Sequence, residues 1–319
     1  MQLLNAQAEQ SMRKLTQQEF ELKVYNKYPE LKVVSEYINS RSPIVLTCTN
    51  KDKLNNAHGK YMLSDSSSLL TSKNNKNGCK KCANESRARA KTKHSHNETF
   101  FEIPNLINSY WAGFIAADGC IQHNNKVIIK LSKKDVNHLK KFKTDINFNG
   151  VLYECTRKTN YGGSPDKQKY NGKEYSTSTI YLSNAQKLVH DLSTRFNIHH
   201  RKSLTLSYPN NLSPVNELAF IKGYIDGDGY IEFGARTRII ICGTKHTLLW
   251  IKLIFDGLVK STSSNGLVAG VRKHSQSDNL YVYEVGHLRA HKILVLLHSI
   301  RTPHLDRKWN NIQNQSTPP

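Results

Sequence analysis

The chain carries the stretch Ser109-Tyr110-Trp111-Ala112-Gly113-Phe114-Ile115-Ala116-Ala117-Asp118-Gly119 and repeats its pattern as Ala219-Phe220-Ile221-Lys222-Gly223-Tyr224-Ile225-Asp226-Gly227-Asp228-Gly229. Each copy predicts an apolar helix with small residues at positions i and i+4, namely Gly113 and Ala117 in the first, Gly223 and Gly227 in the second. Small residues at this spacing form a flat strip on which two helix backbones can approach closely. Both runs are shorter than the ~18 apolar residues of a membrane span, so we expect helices of a protein core.

Both copies end in Asp-Gly, as Asp118-Gly119 and Asp228-Gly229. We expect each glycine to end its helix in a left-handed conformation. This leaves a carboxylate in the last turn, where the helix dipole disfavours negative charge, and stability alone does not explain such a placement. If the two strips pack together, the carboxylates meet at one end of the helix pair. Two crowded carboxylates beside a polyanion predict a divalent-metal site.

Both stretches resemble the signature helix of LAGLIDADG homing endonucleases, in the single-chain form that carries two motifs. The resemblance extends over roughly residues 105–311, and two copies at a domain-sized spacing in one basic chain make it specific. It implies that the two helices form the interface of a pseudo-twofold fold. It also implies that the last acid of each motif holds the metal together with the glycine that follows, which gives Asp118, Gly119, Asp228 and Gly229.

The same resemblance implies the reaction, which is Mg²⁺-dependent hydrolysis of two phosphodiesters across the minor groove, leaving 3′ overhangs. A basic residue near the active site is expected in each half, and the matching positions are Lys202 and Lys308. For either lysine, a phosphate contact or a surface charge is the alternative. The spare motif acid, Asp226, is expected to be structural or to order water. The first copy departs from the family pattern at Trp111 and Ala116, and the metal position is intact.

The composition is strongly basic, with 46 Lys and Arg against 25 Asp and Glu and a net charge of +21 over 319 residues. This charge predicts a polyanionic partner, and nucleic acid is the default. The excess is spread along the chain without one long amphipathic basic helix, so a membrane partner is disfavoured. The N-terminus lacks the apolar region of a signal peptide, and only three of the six cysteines cluster. An intracellular, reducing location is therefore predicted, in a bacterial or phage-infected cell or an organelle.

The first part of the chain predicts a small zinc module. Zinc prefers four soft or borderline ligands in a tetrahedron, and Cys-x-x-Cys in a tight turn supplies two of them. The pattern resembles small zinc modules found attached to various DNA endonucleases, which implies Zn²⁺ in a zinc-ribbon-like fold with the ligands Cys48, His58, Cys79 and Cys82. A redox Cys-x-x-Cys is the alternative, although no βαβ context surrounds it.

Short helices are predicted over residues 17–28 and 31–39, before a strand at 43–48. After Cys82 comes a basic segment with small residues between its charges, including Arg87 and Arg89. Such a segment could lie along the DNA backbone and raise affinity without reading the sequence. A solvated linker is the alternative.

The remainder predicts two halves on one plan, each in the order helix-strand-strand-helix-strand-strand-helix. The expected fold class is α/β, of the α+β type, with domains at residues 1–97, 98–208 and 209–319. Each half then has one sheet whose far face can lie in the DNA major groove, where base identity is legible. The basic residues predicted to contact DNA there are Lys126, Lys130, Arg236, Arg238 and Arg272. An ordinary solvent-facing strand position is the alternative for each.

The leading functional hypothesis is a site-specific homing endonuclease, intron-encoded or free-standing, that makes a staggered double-strand cut in DNA. It is expected to be a monomer because both signature helices lie on one chain. A non-cleaving DNA-binding regulator or an RNA maturase of the same fold is the first alternative, and a nicking enzyme is the second. Relatives that lose cleavage typically lose an acid, and the presence of both Asp118 and Asp228 favours the enzyme.

Overall fold

A computed structural model of the chain describes residues 14–71, 78–91, 94–158, 172–233, 237–259, 270–275, 277, 279–310 and 312. The chain divides into two compact units, Met1–Lys93 and His94–Pro319. The fold is α+β, as predicted, and the described residues form three antiparallel sheets. Among their helices, none is long and apolar enough to cross a membrane. The predicted domain bounds within the chain stay predictions.

The first unit contains helices and a three-stranded sheet, whose strands lie side by side in the order of the sequence. Its elements are α1 (Gln17–Lys27), β1 (Leu31–Val33), β2 (Ile44–Lys51), β3 (Ala57–Leu63), α2 (Ser67–Thr71) and α3 (Lys80–Lys91). A capping box starts α1, in which the side chains of Thr16 and Glu19 accept hydrogen bonds from each other's backbone N–H groups. The core of this unit contains Phe20, Val24 and Leu46, all buried.

The helix predicted over residues 31–39 is wrong. Residues Leu31–Val33 form an edge strand instead, antiparallel to β2, with Leu31 opposite Cys48. Leu31 is buried and Lys32 is exposed, so burial alternates with the period of a strand. The basic segment that follows Cys82 is helical, because α3 begins inside the Cys-x-x-Cys turn and continues to Lys91.

The second unit contains two halves, each with the predicted order of elements followed by one short helix that was not predicted. The first half comprises α4 (Leu106–Asp118), β4 (Gly119–Gln122), β5 (Lys126–Ser132), α5 (Val136–Asp145), β6 (Tyr153–Lys158), β7 (Glu174–Leu182), α6 (Gln186–Phe196) and α7 (Lys202–Thr205). The second comprises α8 (Pro214–Asp228), β8 (Gly229–Glu232), β9 (Arg238–Gly243), α9 (Lys245–Leu258), β10 (Val271–Lys273), β11 (Tyr281–Gly286), α10 (His287–Ser299) and α11 (Asp306–Trp309).

The two sheets have equivalent strand orders, β4-β5-β7-β6 in the first half and β8-β9-β11-β10 in the second. In β5 the side chains of Val127, Ile129 and Leu131 are buried against the helices, and in β9 those of Ile239 and Ile241 are. Because side chains alternate along a strand, the residues between them belong to the opposite, outer face of each sheet. Each half therefore presents one outer sheet face.

Helices α4 and α8 pack against each other through the predicted strip of small residues. A methyl group added at Gly113 would overlap the carbonyl oxygen of Phe220, and one at Gly223 would overlap the carbonyl oxygen of Tyr110. Gly227 faces the side chain of Ala117. Glycine at these positions lets the two backbones touch, which a Cβ atom would prevent.

The glycines that end these helices are not left-handed, contrary to prediction. Gly119 has φ −76° and ψ 160°, and Gly229 has φ −95° and ψ 155°. Both are extended because the chain passes directly from the helix into β4 or β8. The lack of a side chain is required for a different reason, namely close approach. A Cβ atom would lie 2.7 Å from the carbonyl oxygen of Ile115 at Gly119 and 2.5 Å from that of Ile225 at Gly229.

A buried chain of polar groups connects the two halves. The hydroxyl of Tyr110 lies 3.0 Å from Nε2 of His138 and donates a 2.6 Å hydrogen bond to Oδ2 of Asp226. The Asp226 carboxylate also accepts hydrogen bonds from the backbone N–H of Leu305 and from Nε1 of Trp309. Asp226 is therefore a structural residue, satisfied by donors from both halves.

Stability should fall in acid because of His138. Burial among Trp111 and Phe114 lowers the pKa of His138 to about 3, against about 6.5 in an unfolded chain. Between these values the unfolded state binds the extra proton, so the stabilisation present above pH ~6.5 is lost as the pH falls. We expect this group to contribute a slope of up to about 1.4 kcal/mol per pH unit in urea unfolding of the wild type.

The matched variant is His138→Phe, which keeps an aromatic ring in the cavity and removes the titrating group. Its unfolding free energy should depend less on pH than that of the wild type over the same acidic range. Equal pH slopes for the two proteins would contradict the assignment. A pH-independent part of the difference between the two proteins reports the lost contact with Tyr110.

Candidate functional site

Asp118 and Asp228 are the last residues of α4 and α8 and lie at the same end of the helix pair. Gly227 packs directly against Ala117 and the backbone of Asp118, so the two helix ends meet. Both aspartates are accessible to solvent, yet the adjoining helix ends remove part of the water around their carboxyl groups. This desolvation raises the pKa of Asp118. It raises the pKa of Asp228 to about 6, and the negative charge of Asp118 adds to the shift.

Lys202 and Lys308 occupy equivalent positions, one in the short helix that closes each half. Lys202 donates 2.7 Å hydrogen bonds to the carbonyl oxygens of Ala116 and Ala117. Lys308 donates to the carbonyl oxygens of Ile225, Asp226 and Gly229. Carbonyls in the last turn of a helix have no partner within the helix, and here a lysine of the same half supplies one. Each ammonium thus fixes the end of its own signature helix.

Neither lysine is a surface charge, since each is only 8% exposed. Burial lowers the pKa of Lys202, and it lowers the pKa of Lys308 to about 8. The charges of Asp118 and Asp228 act in the opposite direction on both lysines, which places all four groups within electrostatic reach of one another. The carboxylates of Asp118 and Asp228 therefore interact electrostatically with two buried ammonium groups.

The glycines predicted to contribute carbonyl ligands are already engaged in other contacts. The carbonyl oxygen of Gly229 accepts a hydrogen bond from Lys308. Gly119 is the first residue of β4 and pairs with Ile129 in the sheet. A carbonyl oxygen has two lone pairs, so a metal contact from Gly229 would share that oxygen with the lysine.

The predicted DNA contacts lie in different surroundings. Lys130 and Arg272 are exposed, while Lys126 is half-buried. Arg238 forms ion pairs with Glu232 and Glu284 on the outer sheet face of the second half. In the first unit, Arg87 and Arg89 are exposed on α3, and Arg236 lies outside the described residues.

The four predicted zinc ligands converge in the first unit. Cys48 comes from β2, His58 from β3, and Cys79 and Cys82 from the turn and first residues of α3. Their ligand atoms all lie within 4.8 Å of one another, and the group could hold a metal ion. The Cys48 and Cys82 sulfurs are 3.6 Å apart, and Nδ1 of His58 lies 3.2 Å from the Cys82 sulfur. All but the half-buried Cys82 are buried.

Sequence reasoning missed the groups that surround this cluster. Nε2 of His58 lies 3.0 Å from the carboxylate of Glu85, which leaves Nδ1 to face the three sulfurs. Asn50 donates a hydrogen bond to the sulfur of Cys82 over 3.4 Å. A carboxylate on the second nitrogen of a ligating histidine fixes its tautomer and raises its basicity. The signal for Glu85 was its spacing, three residues after Cys82 on a helix.

Comparison with known proteins gives structural matches without sequence matches. No protein-family profile and no curated protein sequence matches the chain. The chain is similar to the solved structure of the LAGLIDADG homing endonuclease I-GzeII in complex with its DNA target. The identity is 12% and the TM-score 0.40, over 65% of this chain and 89% of that one. It is also similar to I-DmoI in complex with DNA and Ca, with 16% identity and a TM-score of 0.38, over 69% of this chain and all of that one.

Proposed function

We propose that this protein is a metal-dependent DNA endonuclease that makes a staggered cut in both strands of a specific duplex. The observation that carries the proposal is the meeting of Asp118 and Asp228 at one end of two glycine-packed helices. Two carboxylates in mutual repulsion, each already short of water, bind a divalent cation more readily than isolated aspartates do. A net charge of +21 favours a polyanion as the substrate that reaches them.

The donor set fits Mg²⁺, which prefers carboxylate and carbonyl oxygens together with water. Asp118 and Asp228 would hold it, with the carbonyl oxygens of Gly119 and Gly229 as further donors, the latter through the lone pair that Lys308 leaves free. When bound, such a metal polarises phosphoryl oxygens and lowers the pKa of a bound water. The pKa of Asp228, raised to about 6, leaves its carboxyl ionised at neutral pH and able to serve as a ligand.

The buried lysines position these carboxylates. By binding the terminal carbonyls, Lys202 and Lys308 hold the last turn of α4 and α8 rigid, so that the aspartates do not move with a frayed helix end. Their positive charges also offset the cost of two neighbouring carboxylates. The outer sheet faces of the two halves supply the surface for the duplex, and one chain provides both, which favours a monomer.

We further propose that the Cys48, His58, Cys79 and Cys82 cluster holds Zn²⁺ and stabilises the first unit. Three thiolates and one imidazole are a common ligand set for structural zinc. The exposed Arg87 and Arg89 on the adjoining helix α3 then add sequence-independent affinity for the DNA backbone.

Cleavage is tested with the DNA that flanks the gene of this protein. A linear duplex of this region is incubated with the purified full chain in Mg²⁺, and in EDTA as the control. The expected result is two discrete fragments in Mg²⁺ alone, whose sequenced ends carry 3′ overhangs. Intact duplex in Mg²⁺, under conditions where the protein binds it, contradicts the nuclease and favours a regulator.

The zinc proposal predicts about one zinc ion per chain in the purified protein. Cys79→Ser should lower the zinc content strongly and destabilise the first unit, since the free energy of metal binding contributes to folding. Glu85→Gln should keep the metal with about 10- to 100-fold weaker affinity, because the histidine loses its orienting carboxylate. Elemental analysis and chelator competition measure both. Unchanged zinc in Cys79→Ser would remove Cys79 from the ligand set.

A further inference from the structure

The strand registers of the two halves identify equivalent positions on the two outer sheet faces. In the first half Gln122 pairs with Lys126, and in the second half Glu232 pairs with Arg238. Tyr181 lies opposite Ile128, as Glu284 lies opposite Ile240. Two strands across, Tyr153 and Arg272 are also equivalent. The first-half quartet is therefore Gln122, Lys126, Tyr181 and Tyr153, and the second-half quartet is Glu232, Arg238, Glu284 and Arg272.

The second-half quartet is a network of alternating charges. Arg238 contacts Glu232 over 2.6 Å and Glu284 over 3.3 Å, so it bridges the two carboxylates. Glu284 also faces Arg272 at 3.7 Å. The Arg272 side chain is 65% exposed, and most of its donors remain available to a ligand. Two carboxylates and two guanidinium groups thus lie fixed relative to one another on an accessible face.

The first-half quartet has different chemistry at the same positions. The rings of Tyr153 and Tyr181 pack edge to face with centroids 5.3 Å apart. The ammonium of Lys126 lies 5.9 Å from the centre of the Tyr181 ring. Within this quartet the side chains are neutral apart from one lysine, and aromatic groups occupy the positions of Glu284 and Arg272.

Carboxylates are unexpected on a face that binds a polyanion, in a chain with only 25 acidic residues. Phosphates repel them, so beyond the arginines that they already contact we expect their partners in a complex to be groups that donate hydrogen bonds. In the major groove those donors are the exocyclic amino groups of cytosine and adenine, and Glu is a known partner of cytosine N4. Arginine binds guanine O6 and N7 in a bidentate manner. Neighbouring Arg and Glu side chains therefore match the two bases of one G·C pair.

We propose that Glu232, Arg238, Glu284 and Arg272 read G·C base pairs in the half-site contacted by the second half of the protein. The inference rests on the proposed function in one respect, namely that the outer sheet faces lie in the major groove. The ion pairs hold Arg238 and Glu284 in place before binding, which reduces the entropy lost when they meet bases. The first-half quartet contains no carboxylate and no guanidinium group, so we expect recognition of G·C pairs by paired Arg and Glu side chains in one half-site only.

The experiment is a selection of bound sequences that does not require cleavage. A library of randomised duplexes is bound to the full-length protein in Ca²⁺, and the retained duplexes are sequenced. The wild type should enrich duplexes with G·C pairs at fixed positions in one half-site. Glu284→Gln and Arg272→Gln should each reduce that enrichment by about tenfold or more, while the other half-site stays unchanged.

Glu154→Gln is the matched control. It removes one exposed carboxylate that pairs with Lys133, and it changes the net charge by the same amount as Glu284→Gln. It should leave the selected sequence as in the wild type. Thermal melting of each variant separates lost recognition from lost folding, and Glu284→Asp, which keeps the charge, should retain part of the preference.

The outcomes separate this inference from the nuclease proposal. Enrichment of G·C pairs by a protein that never cuts supports the inference and contradicts the endonuclease proposal. Cutting of a selected target without G·C pairs, or a Glu284→Gln variant that melts earlier but selects the wild-type sequence, overturns the inference. In the latter case the quartet is a surface ion-pair network that only stabilises the sheet.

Discussion

Replacing either Asp118 or Asp228 by asparagine is expected to abolish cleavage while leaving duplex binding intact. Asparagine keeps the size of the side chain and one oxygen but removes the negative charge that would hold a divalent cation. Losing one metal ligand removes several kcal/mol of transition-state stabilisation, which corresponds to about a 10³-fold or larger loss of rate. Single-turnover cleavage in Mg²⁺ and a gel-shift titration on the same duplex measure the two properties separately.

Folding should not suffer in these variants. Desolvation raises the pKa of both carboxyls, and the charge of Asp118 adds to the shift at Asp228. Removing one of these charges should therefore preserve or slightly raise stability. Asp256→Asn is the control for loss of one carboxylate charge: this half-buried residue of α9 pairs with Lys252 and Arg289, both outside the signature helices, so the variant should cut at nearly the wild-type rate. Wild-type cleavage by Asp118→Asn and Asp228→Asn would show that the chemistry lies elsewhere.

Gly223→Ala is expected to be among the most destabilising changes that a single methyl group can cause in this protein. The added carbon would overlap the carbonyl oxygen of Tyr110 in the partner helix, and neither group belongs to a flexible side chain. The helices would have to separate along the whole interface, which exposes or loosens the buried core around them. We expect a loss of about 3 kcal/mol or more in the free energy of unfolding, and Gly113→Ala should behave in the same way.

Gly257→Ala is the internal control for this effect. It is also a helical glycine, on the exposed side of α9, and among the described residues no atom lies within 4 Å of the position of its missing Cβ. Because alanine restricts the unfolded chain and suits a helix better, this variant should gain about 0.5 to 1 kcal/mol. Equal effects of the two substitutions in urea unfolding would contradict close backbone packing of α4 on α8.

The repeated motif was enough to predict the order of elements in both halves and the packing of the signature helices. Small residues four positions apart in an apolar helix indicate close packing on another helix. Gly113 and Gly223 were therefore the residues on which the predicted helix packing chiefly depended. The short strand Leu31–Val33 could not be predicted in the same way. Its conformation depends on pairing with β2, a contact distant in sequence, and three residues hold too little pattern to reveal it.

Groups that act through long-range contacts were the hardest to predict. Lys202 and Lys308 were predicted as basic residues near the site. Their hydrogen bonds to helix carbonyls could not be predicted, because those carbonyls lie more than 75 residues away in the sequence. The left-handed conformations predicted for Gly119 and Gly229 were wrong, because a glycine at a helix end is equally typical of a left-handed turn and of a close backbone contact. His138 gave no signal, since its partner Tyr110 lies on another helix.

Asp226 has a consequence for the timing of synthesis. Its hydrogen-bond donors Leu305 and Trp309 are encoded 79 and 83 residues later, and Lys308 completes the end of the same helix. While these residues are still in the ribosomal tunnel, the nascent chain has a carboxylate that cannot be buried without its donors. The C-terminal end of α8 therefore reaches its final packing only after residues 305–309 have left the tunnel.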